Sequence, residues 1–407
     1  MRSDPWEEFR SCADERPVVG YLERGTAPGL SRPWAAWYTE AAETFRLRPG
    51  DSPDRLDRAT RARFRGGDAR GIAGYVGFDA VSLWEPLLAR RPAGAPFPLG
   101  EFAVVRDLHV VRRLPHRRTP AAARGPQPGL PAHSETLPPA RYRAAVGRVR
   151  AAIGRGEAFQ VVVASRRRFR RPDDLLARAG LLRARERFAY FYYLRFGDRE
   201  IVGASPESVI ELAGGRAAIH PIAGTLPRES DRGHRIPLRR DPKELAEHRM
   251  LVDLARNDLG KICRPGTVRV AWRERQFRFA RLEHLISRVD GRLRPGTGPW
   301  TALAAAFPAG TVSGAPKIRA TVLLRQQERS WRGPYGGAVG LLRPHGAADW
   351  ALAIRTAYVR GADLYTAAGA GIVWGSTPGR EEREVRTKRS QIERTLVAAR
   401  EGRCGSS

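Results

Sequence analysis

The sequence predicts an α+β fold with mostly antiparallel sheets. Strand-like segments dominate the middle of the 407-residue chain, helical patterns recur without strict alternation with them, and no internal repeat is present. Apolar residues make up 42% of the chain and charged residues 28%, which is typical of a globular protein. The length suits one large domain or two ordinary ones, with enough chain to bury a core.

The N-terminal part contains three short apolar runs broken by glycine, at residues 18–22, 72–78 and 102–105, and this pattern is typical of strands. Residues 112–140 are rich in Pro, Arg and Ala without apolar periodicity, which predicts a linker or a long surface loop. We therefore expect residues 1–111 to form an N-terminal α+β region that packs on the larger part, residues 141–407.

Helix and strand patterns mix after the linker. Residues 142–153 follow a helical pattern that ends at Gly154. Four strand-like segments rich in apolar, β-branched or aromatic residues follow this helix: 159–164, 188–196, 200–203 and 208–212.

The charge balance would normally indicate a nucleic-acid partner. Lys and Arg total 72 against 43 acidic residues, a formal net charge of +29. Only four of the 72 are lysines, however, and the arginines are spread along the chain without a nucleic-acid-binding motif. A nucleic-acid partner is therefore disfavoured.

The sequence lacks the patterns typical of a membrane-spanning helix and of a secretory signal peptide. No eighteen consecutive residues are apolar, and the first residues lack the apolar run of a signal peptide. The three cysteines, Cys12, Cys263 and Cys404, are too scattered for a disulfide framework or a zinc site. We expect a cytoplasmic protein without a membrane span.

The clearest helix covers residues 241–254, where Asp241 can cap the start and Glu244 completes a capping box. Helical spacing places Glu244 and Glu247 on one face with Leu251, so this face should point inward. An inward carboxylate needs a partner. Glu244 could serve the helix cap and Glu247 could pair with an arginine, or both could take part in a functional site.

A second acidic helix includes Glu381, Glu384 and Lys388, whose spacing of three and four residues places them on one face. A solvated helix with a Glu384–Lys388 surface pair would explain this pattern. The functional alternative is a Mg²⁺ site, because Mg²⁺ is usually held by one or two carboxylates together with anionic groups of the substrate.

Two glycine-rich segments could receive anions. Residues 308–317 precede a predicted helix with Pro316 near its first turn, and the free N–H groups at a helix start attract carboxylate or phosphate. Residues 368–373 would let the backbone approach a ligand closely. Neither segment matches a Walker loop or a dinucleotide fingerprint, and a tight turn is the alternative for both.

Taken together in this order, these segments resemble the chorismate-utilising enzymes, a family that includes the anthranilate synthase large subunit, aminodeoxychorismate synthase, isochorismate synthase and salicylate synthase. The resemblance covers about two thirds of the chain, from Tyr142 to the C-terminus. It rests on segments 221–225, 243–260, 283–285, 307–317, 332–340, 353–356 and 368–384. It implies stacked antiparallel sheets with flanking helices, a site in the cleft between them, and a chorismate-binding catalytic domain at 141–407.

The resemblance also implies a role for each candidate site residue. Mg²⁺ would be held by Glu247 and Glu384, with Glu244 and Glu381 beside them. The substrate carboxylates would be bound by Tyr335, Arg355, Lys388 and the backbone of Gly369, Ala370 and Gly371. Thr225 and Thr311 would line the ring, and His284 would assist the departure of a ring substituent.

Within this family the nucleophile decides the reaction. Water-using members resemble one another in a lysine base at the position of Gln160, and glutamine cannot act as a base. Aminodeoxychorismate synthases often carry a nucleophilic lysine where this chain has Ala223, and anthranilate synthases carry alanine. Both positions favour ammonia adding to ring carbon 2 as the ring-4 hydroxyl leaves, followed by loss of pyruvate to give anthranilate. Aminodeoxychorismate or aminodeoxyisochorismate synthesis is the alternative.

The sequence departs from the family pattern at several positions. Residues 226–229 are Leu-Pro-Arg-Glu instead of Arg-Pro-Arg-Gly, and Trp374-Gly375 stands where Ala-Asp is usual. Feedback-regulated anthranilate synthases resemble one another in a Leu-Leu-Glu-Ser segment and an Asn-Pro segment. The counterparts here are Tyr-Leu-Glu-Arg at 21–24 and Arg-Phe-Ala at 187–189, so we predict weak or absent inhibition by tryptophan.

The chain shows no glutamine amidotransferase domain. A hydrolytic cysteine would need a glycine-rich turn and a downstream histidine and glutamate, and none of the three cysteines has that setting. We therefore expect a separate glutamine amidotransferase subunit to supply the ammonia.

Overall fold

The computed structural model describes residues 4–25, 32–67, 69–89, 94–112, 114, 131–227, 240–279 and 282–397. Within these residues the strands form two ten-stranded sheets, and the neighbouring strands in both are antiparallel. Ten α-helices accompany the sheets in this described part. The predicted α+β class with mostly antiparallel sheets is confirmed.

The first sheet contains β1 (Val18–Arg24), β2 (Trp34–Tyr38), β6 (His109–Val111), β7 (Ser134–Glu135), β8 (Gln160–Arg170), β9 (Tyr190–Phe196), β10 (Arg199–Ser205), β16 (Gly314–Ala315), β19 (Thr356–Arg360) and β20 (Asp363–Ile372). The strand order is β16-β8-β20-β19-β10-β9-β1-β2-β6, and β7 pairs with β8.

The second sheet contains β3 (Glu43–Arg46), β4 (Gly71–Val76), β5 (Gly100–Val105), β11 (Ser208–Ala213), β12 (Arg216–Ile219), β13 (Ile222–Pro227), β14 (Arg269–Phe279), β15 (Leu282–Arg292), β17 (Ala338–Leu342) and β18 (Ala348–Leu352). The strand order is β13-β15-β12-β11-β18-β17-β4-β5-β3, and β14 pairs with β15. Strands from the N-terminal region therefore enter both sheets.

The helices are α1 (Pro5–Ala13), α2 (Pro53–Arg65), α3 (Val81–Trp84), α4 (Pro139–Gly154), α5 (Leu175–Arg185), α6 (Pro242–Gly260), α7 (Pro299–Ala306), α8 (Gly310–Ser313), α9 (Lys317–Glu328) and α10 (Pro378–Leu396). No described helix combines the length and the apolar composition that a membrane crossing requires.

The two sheets stack face to face around a shared apolar layer. Tyr192 and Leu194 of the first sheet lie in one buried cluster with Tyr75 and Val339 of the second. The outer face of the first sheet packs against α1, α5 and α10, and that of the second packs against α2, α6 and α7. Each sheet thus buries both faces, which confirms the stacked sheets and flanking helices.

Local chemistry explains where several helices begin. The Asp4 carboxylate accepts a hydrogen bond from the Trp6 amide at 3.0 Å before α1, and the Ser52 hydroxyl accepts one from Arg55 at 3.3 Å before α2. In α6 the Asp241 carboxylate accepts the Glu244 amide at 3.3 Å, as the capping prediction requires. All three helices have proline in the first turn.

Strand β8 is longer than its apolar sequence predicts. The predicted strand covers 159–164, whereas β8 continues through a run of arginines to Arg170. Its backbone pairs with β20 over ten residues, from Ile372 opposite Val161 to Asp363 opposite Arg170. This partner stabilises an extended conformation that the charged side chains alone do not indicate.

Candidate active site

The glycine-rich end of β20 forms one wall of the candidate site. A Cβ atom added to Gly371 would lie 2.6 Å from Gln160 Nε2, and one added to Gly369 would lie 2.9 Å from the Val163 carbonyl oxygen. Close approach of the backbone therefore favours glycine at 369, and at 371 a side chain would displace Gln160. Ala370, between them, is fully buried in the core. Because residues 369 and 371 carry no side chain, neighbouring side chains can approach the backbone of this segment.

Tyr335 lies beside this backbone. Its hydroxyl oxygen is 3.2 Å from the position of a Cβ atom on Gly369, and the Gly369 amide hydrogen-bonds to it. Burial raises the pKa of Tyr335 to about 12, although the charge of Arg332 and the Gly369 hydrogen bond act in the opposite direction. The phenol therefore stays protonated and can donate a hydrogen bond to a ligand.

Gln160 connects this wall to helix α6. It is buried at the start of β8, and its Nε2 donates a hydrogen bond to Glu247 Oε1 at 3.0 Å. The half-buried Glu247 carboxylate thus has an amide as its partner. An amide is neutral and carries no basic nitrogen, so Gln160 orients Glu247 without taking up a proton.

Helix α10 reaches the same wall from the other side. Lys388 Nζ donates to the Gly369 carbonyl oxygen at 3.3 Å and lies 2.7 Å from Glu384 Oε1. Glu381, one turn earlier, is buried. The helix therefore brings the Lys388 ammonium group, paired with Glu384, to the glycine-rich segment.

Arg355 occupies the turn between β18 and β19 with a left-handed φ of 49°. This backbone conformation is uncommon for a residue with a side chain and tends to occur at functional sites. Burial lowers the pKa of Arg355, while the negative charge of Glu186 raises it. Within the described residues the guanidinium forms neither an ion pair nor a hydrogen bond, and Glu186 acts on it only through its charge, so a carboxylate from a ligand can bind it directly.

Thr311 contacts a further candidate residue, Glu207, which the sequence analysis did not single out. Its hydroxyl donates to Glu207 Oε1 at 2.7 Å. Burial raises the pKa of Glu207 to about 7, and the Thr311 hydrogen bond and the charge of Lys388 lower it. A signal was present in the sequence, because Glu207 follows Pro206 at the junction of two apolar strands, where a carboxylate is unexpected.

A cavity of about 40 Å³ adjoins Thr311 and Glu207, and its walls include Ser208, His220 and Asp258. This volume can hold a water molecule, and the polar walls can bind it. The cavity therefore extends the site toward α6.

The remaining predicted residues lie on β13 and β15. His284 is buried on β15 opposite Phe277 of β14. Ala223 and Thr225 belong to the adjacent strand β13, where Ala223 pairs with Leu285. The side chains of Ala223 and Thr225 lie outside the described residues.

The carboxylates on α6 and α10 suit a hard cation. Glu247 is connected through Gln160 to Gly371, and Glu384 is connected through Lys388 to Gly369, so both approach the same segment of β20. In the described part of the chain no three metal-ligating side chains form a cluster. A site completed by substrate oxygens is the arrangement that Mg²⁺ usually adopts.

The chain is similar in sequence to known chorismate binding enzymes. Residues 21–394 match the pattern of the chorismate binding enzyme family. Anthranilate synthase component 1 from Streptomyces coelicolor is 39% identical over 77% of this chain and 70% of its own. The protein of the same name from Saccharolobus solfataricus is 32% identical over 98% of both chains.

Solved structures show the same similarity. The crystal structure of anthranilate synthase component I from Streptococcus pneumoniae has a TM-score of 0.76 and 28% identity, covering 91% of this chain and 93% of that one. The isochorismate synthase MenF from Escherichia coli has a TM-score of 0.75 at 19% identity, covering 97% of this chain and 92% of that chain, which shows a common fold.

Proposed function

The chain belongs to the chorismate binding enzymes of the anthranilate synthase component 1 type, and from this premise we propose that it aminates chorismate with ammonia and eliminates pyruvate to give anthranilate. The observation that carries the choice of nucleophile is the Gln160–Glu247 hydrogen bond of 3.0 Å. Water attacks poorly unless a base removes a proton, and a buried amide cannot do this. Ammonia carries its own lone pair and needs no base.

The substrate carboxylates are bound by three hydrogen-bond donors. The Arg355 guanidinium forms no hydrogen bond or ion pair within the described residues, the Tyr335 phenol stays protonated, and Lys388 reaches the Gly369 carbonyl. Charge-assisted hydrogen bonds to carboxylates are the strongest that such side chains form. Tyr335 and Lys388 meet at Gly369 of β20, and with Arg355 they would fix the ring relative to Gln160.

The proposed metal is Mg²⁺, with Glu247 and Glu384 as its protein ligands and Glu244 and Glu381 beside them. When bound, Mg²⁺ would stabilise negative charge that develops on the substrate. The hydrogen bond from Gln160 keeps the Glu247 carboxylate in one orientation. Replacing Gln160 with Ala should therefore weaken Mg²⁺ activation.

Glu207 is the proposed proton donor for the first step. Addition of ammonia to ring carbon 2 shifts the ring double bonds and releases the ring-4 hydroxyl, which leaves as water after taking the Glu207 proton. Its raised pKa of about 7 keeps a proton available near neutral pH. The adjoining cavity of about 40 Å³ can hold the released water.

Loss of pyruvate from the amino adduct then restores an aromatic ring. The family resemblance gives His284, which is buried on β15, a part in this departure, and an imidazole can accept or donate a proton. A separate glutamine amidotransferase subunit is the proposed source of ammonia, since the related proteins carry the name component 1.

The test uses the purified chain with chorismate and Mg²⁺, with and without an ammonium salt at alkaline pH, and identifies products by mass. Anthranilate and pyruvate that form only with ammonium are the expected result. An amino adduct that retains the enolpyruvyl group would show aminodeoxychorismate or aminodeoxyisochorismate synthesis instead. Isochorismate or salicylate formed without ammonium would contradict the argument from Gln160.

A further inference from the structure

Glu207 and Ser208 are consecutive residues, yet both line the cavity beside the candidate site. Consecutive side chains of an extended strand point to opposite faces, so this placement needs a local cause. Ser208 pairs with Ala351 of β18, and Ile210, two residues later, pairs with the very next position, Trp350. The strand therefore bulges at this point, and a bulge can turn a side chain toward an active site.

The buried His220, which follows β12, connects Ser208 to β15. Its Nδ1 lies 3.4 Å from Ser208 Oγ, and its Nε2 lies 3.4 Å from Arg288 Nη1. Arg288 Nε also donates to Asp290 at 3.4 Å. A guanidinium can only donate hydrogen bonds, so Nε2 accepts this one and the ring proton lies on Nδ1. His220 therefore donates to the Ser208 oxygen.

Arg288, His220 and Ser208 form a hydrogen-bond chain, the His220 chain, that donates in one direction toward the cavity. Because the Ser208 oxygen accepts from His220, its hydroxyl proton is left for a second hydrogen bond. A water molecule in the cavity can accept that bond and donate one to Glu207. The cavity measures about 40 Å³, whereas one water needs roughly 10–15 Å³, so this water and the released water both fit.

Two other charged groups bear on this cavity or on Glu207 from neighbouring helices. Asp258 of α6 lines the cavity, and its carboxylate binds Lys317 Nζ at 2.8 Å and Lys261 Nζ at 3.1 Å. Lys388 of α10 acts on Glu207 through its charge. The charge of Asp258 is thus balanced by direct partners, and it does not need the cavity water.

We propose that the His220 chain holds a water molecule against Glu207 and thereby stabilises the carboxylate that remains after Glu207 has given up its proton. This inference rests on the proposed function, because it takes Glu207 as the proton donor. As the ring C–O bond breaks, the Glu207 proton passes to the leaving hydroxyl, which departs as water. The water of the chain then donates to the new carboxylate. Ser208 and His220 are positioning residues, since they act through Glu207.

The experiment measures how Glu207 titrates in the full-length protein and in its variants. Ser208→Ala removes the hydroxyl, Ser208→Thr retains it, and His220→Phe keeps an aromatic ring without a donor. Ser82→Ala is the matched control, because it removes a half-buried hydroxyl that donates to the Asp79 carbonyl at 2.8 Å. kcat and the KM for chorismate are measured against pH at constant free ammonia. Infrared spectra, with Glu207→Gln subtracted, follow the protonated Glu207 carboxyl through the same pH range.

Ser208→Ala should lower kcat by about threefold to tenfold, with the chorismate KM within about twofold. It should move the descending limb of the kcat–pH profile and the infrared midpoint upward by about one pH unit, because a carboxylate that loses a hydrogen bond holds its proton more tightly. His220→Phe should give a smaller shift in the same direction, since the hydroxyl remains but is no longer oriented. Ser208→Thr and Ser82→Ala should behave like the unaltered protein. The double variant Ser208→Ala/His220→Phe should show the Ser208→Ala shift alone.

An unchanged infrared midpoint in Ser208→Ala would overturn the proposal even if kcat falls, because a merely structural role lowers the rate without moving the titration. Shifts that add in the double variant would also overturn it, since His220 would then act on Glu207 separately from Ser208. Failure of the proposed function is distinguishable. The unaltered protein would then form no product with ammonium, whereas the infrared titration would still show whether the His220 chain acts on Glu207.

Discussion

At the scale of single residues, the Glu207 carboxyl is nearly enclosed and accepts a hydrogen bond from Thr311 at 2.7 Å. Burial disfavours its charged form more than Thr311 and Lys388 favour it, so its pKa rises to about 7. The group is then protonated in a large fraction of molecules at neutral pH, which a carboxyl in water is not.

The pH dependence of the reaction should report this carboxyl. At a constant concentration of free ammonia, kcat/KM should fall as the pH rises through about 7, because only protonated Glu207 can donate a proton. Glu207→Gln should lower kcat/KM by about 10²–10⁴-fold and remove the descending limb of the pH–rate profile, which is the fall in kcat/KM as the pH rises. The measurement is a pH–rate profile for both proteins, with Glu157→Gln as a control whose profile keeps the limb. An unchanged limb in Glu207→Gln would assign the titration to another group.

Arg355 shows the opposite case, a half-buried cation that forms no side-chain hydrogen bond or ion pair within the described residues, although the charge of Glu186 acts on it. Arg355→Met should raise the KM for chorismate by about 100-fold, the equivalent of one lost charge-assisted contact of about 2.7 kcal/mol. The melting temperature should stay equal or rise, because methionine removes a desolvated charge at similar length. Steady-state kinetics and thermal melting test this.

Arg360→Met is the matched control, since Arg360 is exposed at the end of β19 and pairs with Asp198 at 3.0 Å. It should leave the chorismate KM unchanged. A marked loss of stability in Arg355→Met would mean that Arg355 serves the fold and not the substrate.

At the scale of elements, α2 caps the start of α7 through Asp57. The buried Asp57 carboxylate accepts hydrogen bonds from the Trp300 amide at 2.9 Å, the Thr301 amide at 3.1 Å and the Thr301 hydroxyl at 2.5 Å. A Cβ atom on Gly298 would lie 2.2 Å from Asp57 Oδ1, so glycine is needed there. The free amides of α7 are thus satisfied by a residue about 240 positions earlier.

Asp57→Ala should lower the free energy of unfolding by about 2–3 kcal/mol, because it leaves buried amide donors unsatisfied. Asp54→Ala is the control, since Asp54 lies 3.2 Å from the Thr301 hydroxyl, whose proton is already donated to Asp57 over the shorter distance, and it should cost less than about 0.5 kcal/mol. Urea denaturation of the three proteins measures both values. Similar losses in the two variants would show that the capping contact does not stabilise α7.

At the scale of the whole molecule, buried charges connect the two stacked sheets. Arg24 of β1 donates to Asp349 of β18 at 2.5 Å, and Arg343 also pairs with Asp349. Tyr190 of β9 sits opposite Arg24 and donates to Glu211 of β11 at 2.9 Å. The Arg24 side chain therefore fills space between the sheets at the position where the feedback-regulated family segment has serine.

Tryptophan at millimolar concentration should leave the ammonium-dependent rate unchanged, because the Arg24–Asp349 pair and the packed Trp34 ring occupy this space. Initial rates with added tryptophan and a calorimetric titration test this together. Saturable inhibition with a matching heat of binding would refute it. Phenylalanine in the same assay controls for non-specific effects.

The sequence by itself determined the features that depend on neighbouring residues and on motif order. A capping group and a proline marked the start of α6, and Pro316 marked the start of α9. An apolar β-branched run marked β8 and an aromatic-rich run marked β9, because local backbone preferences act within a few positions. The seven ordered segments indicated the chorismate binding family, which the match over residues 21–394 confirms. The named site residues and the metal carboxylates came from that resemblance.

Only the tertiary structure decided the properties that arise between distant segments. Gln160 meets Glu247 across 87 positions, and Arg24 meets Asp349 across 325. The raised pKa of Glu207 and the lowered pKa of Arg355 depend on how completely other elements exclude water from these groups. Desolvation and long-range pairing depend on atoms that come close to one another only when the chain folds, so a local sequence pattern does not predict them.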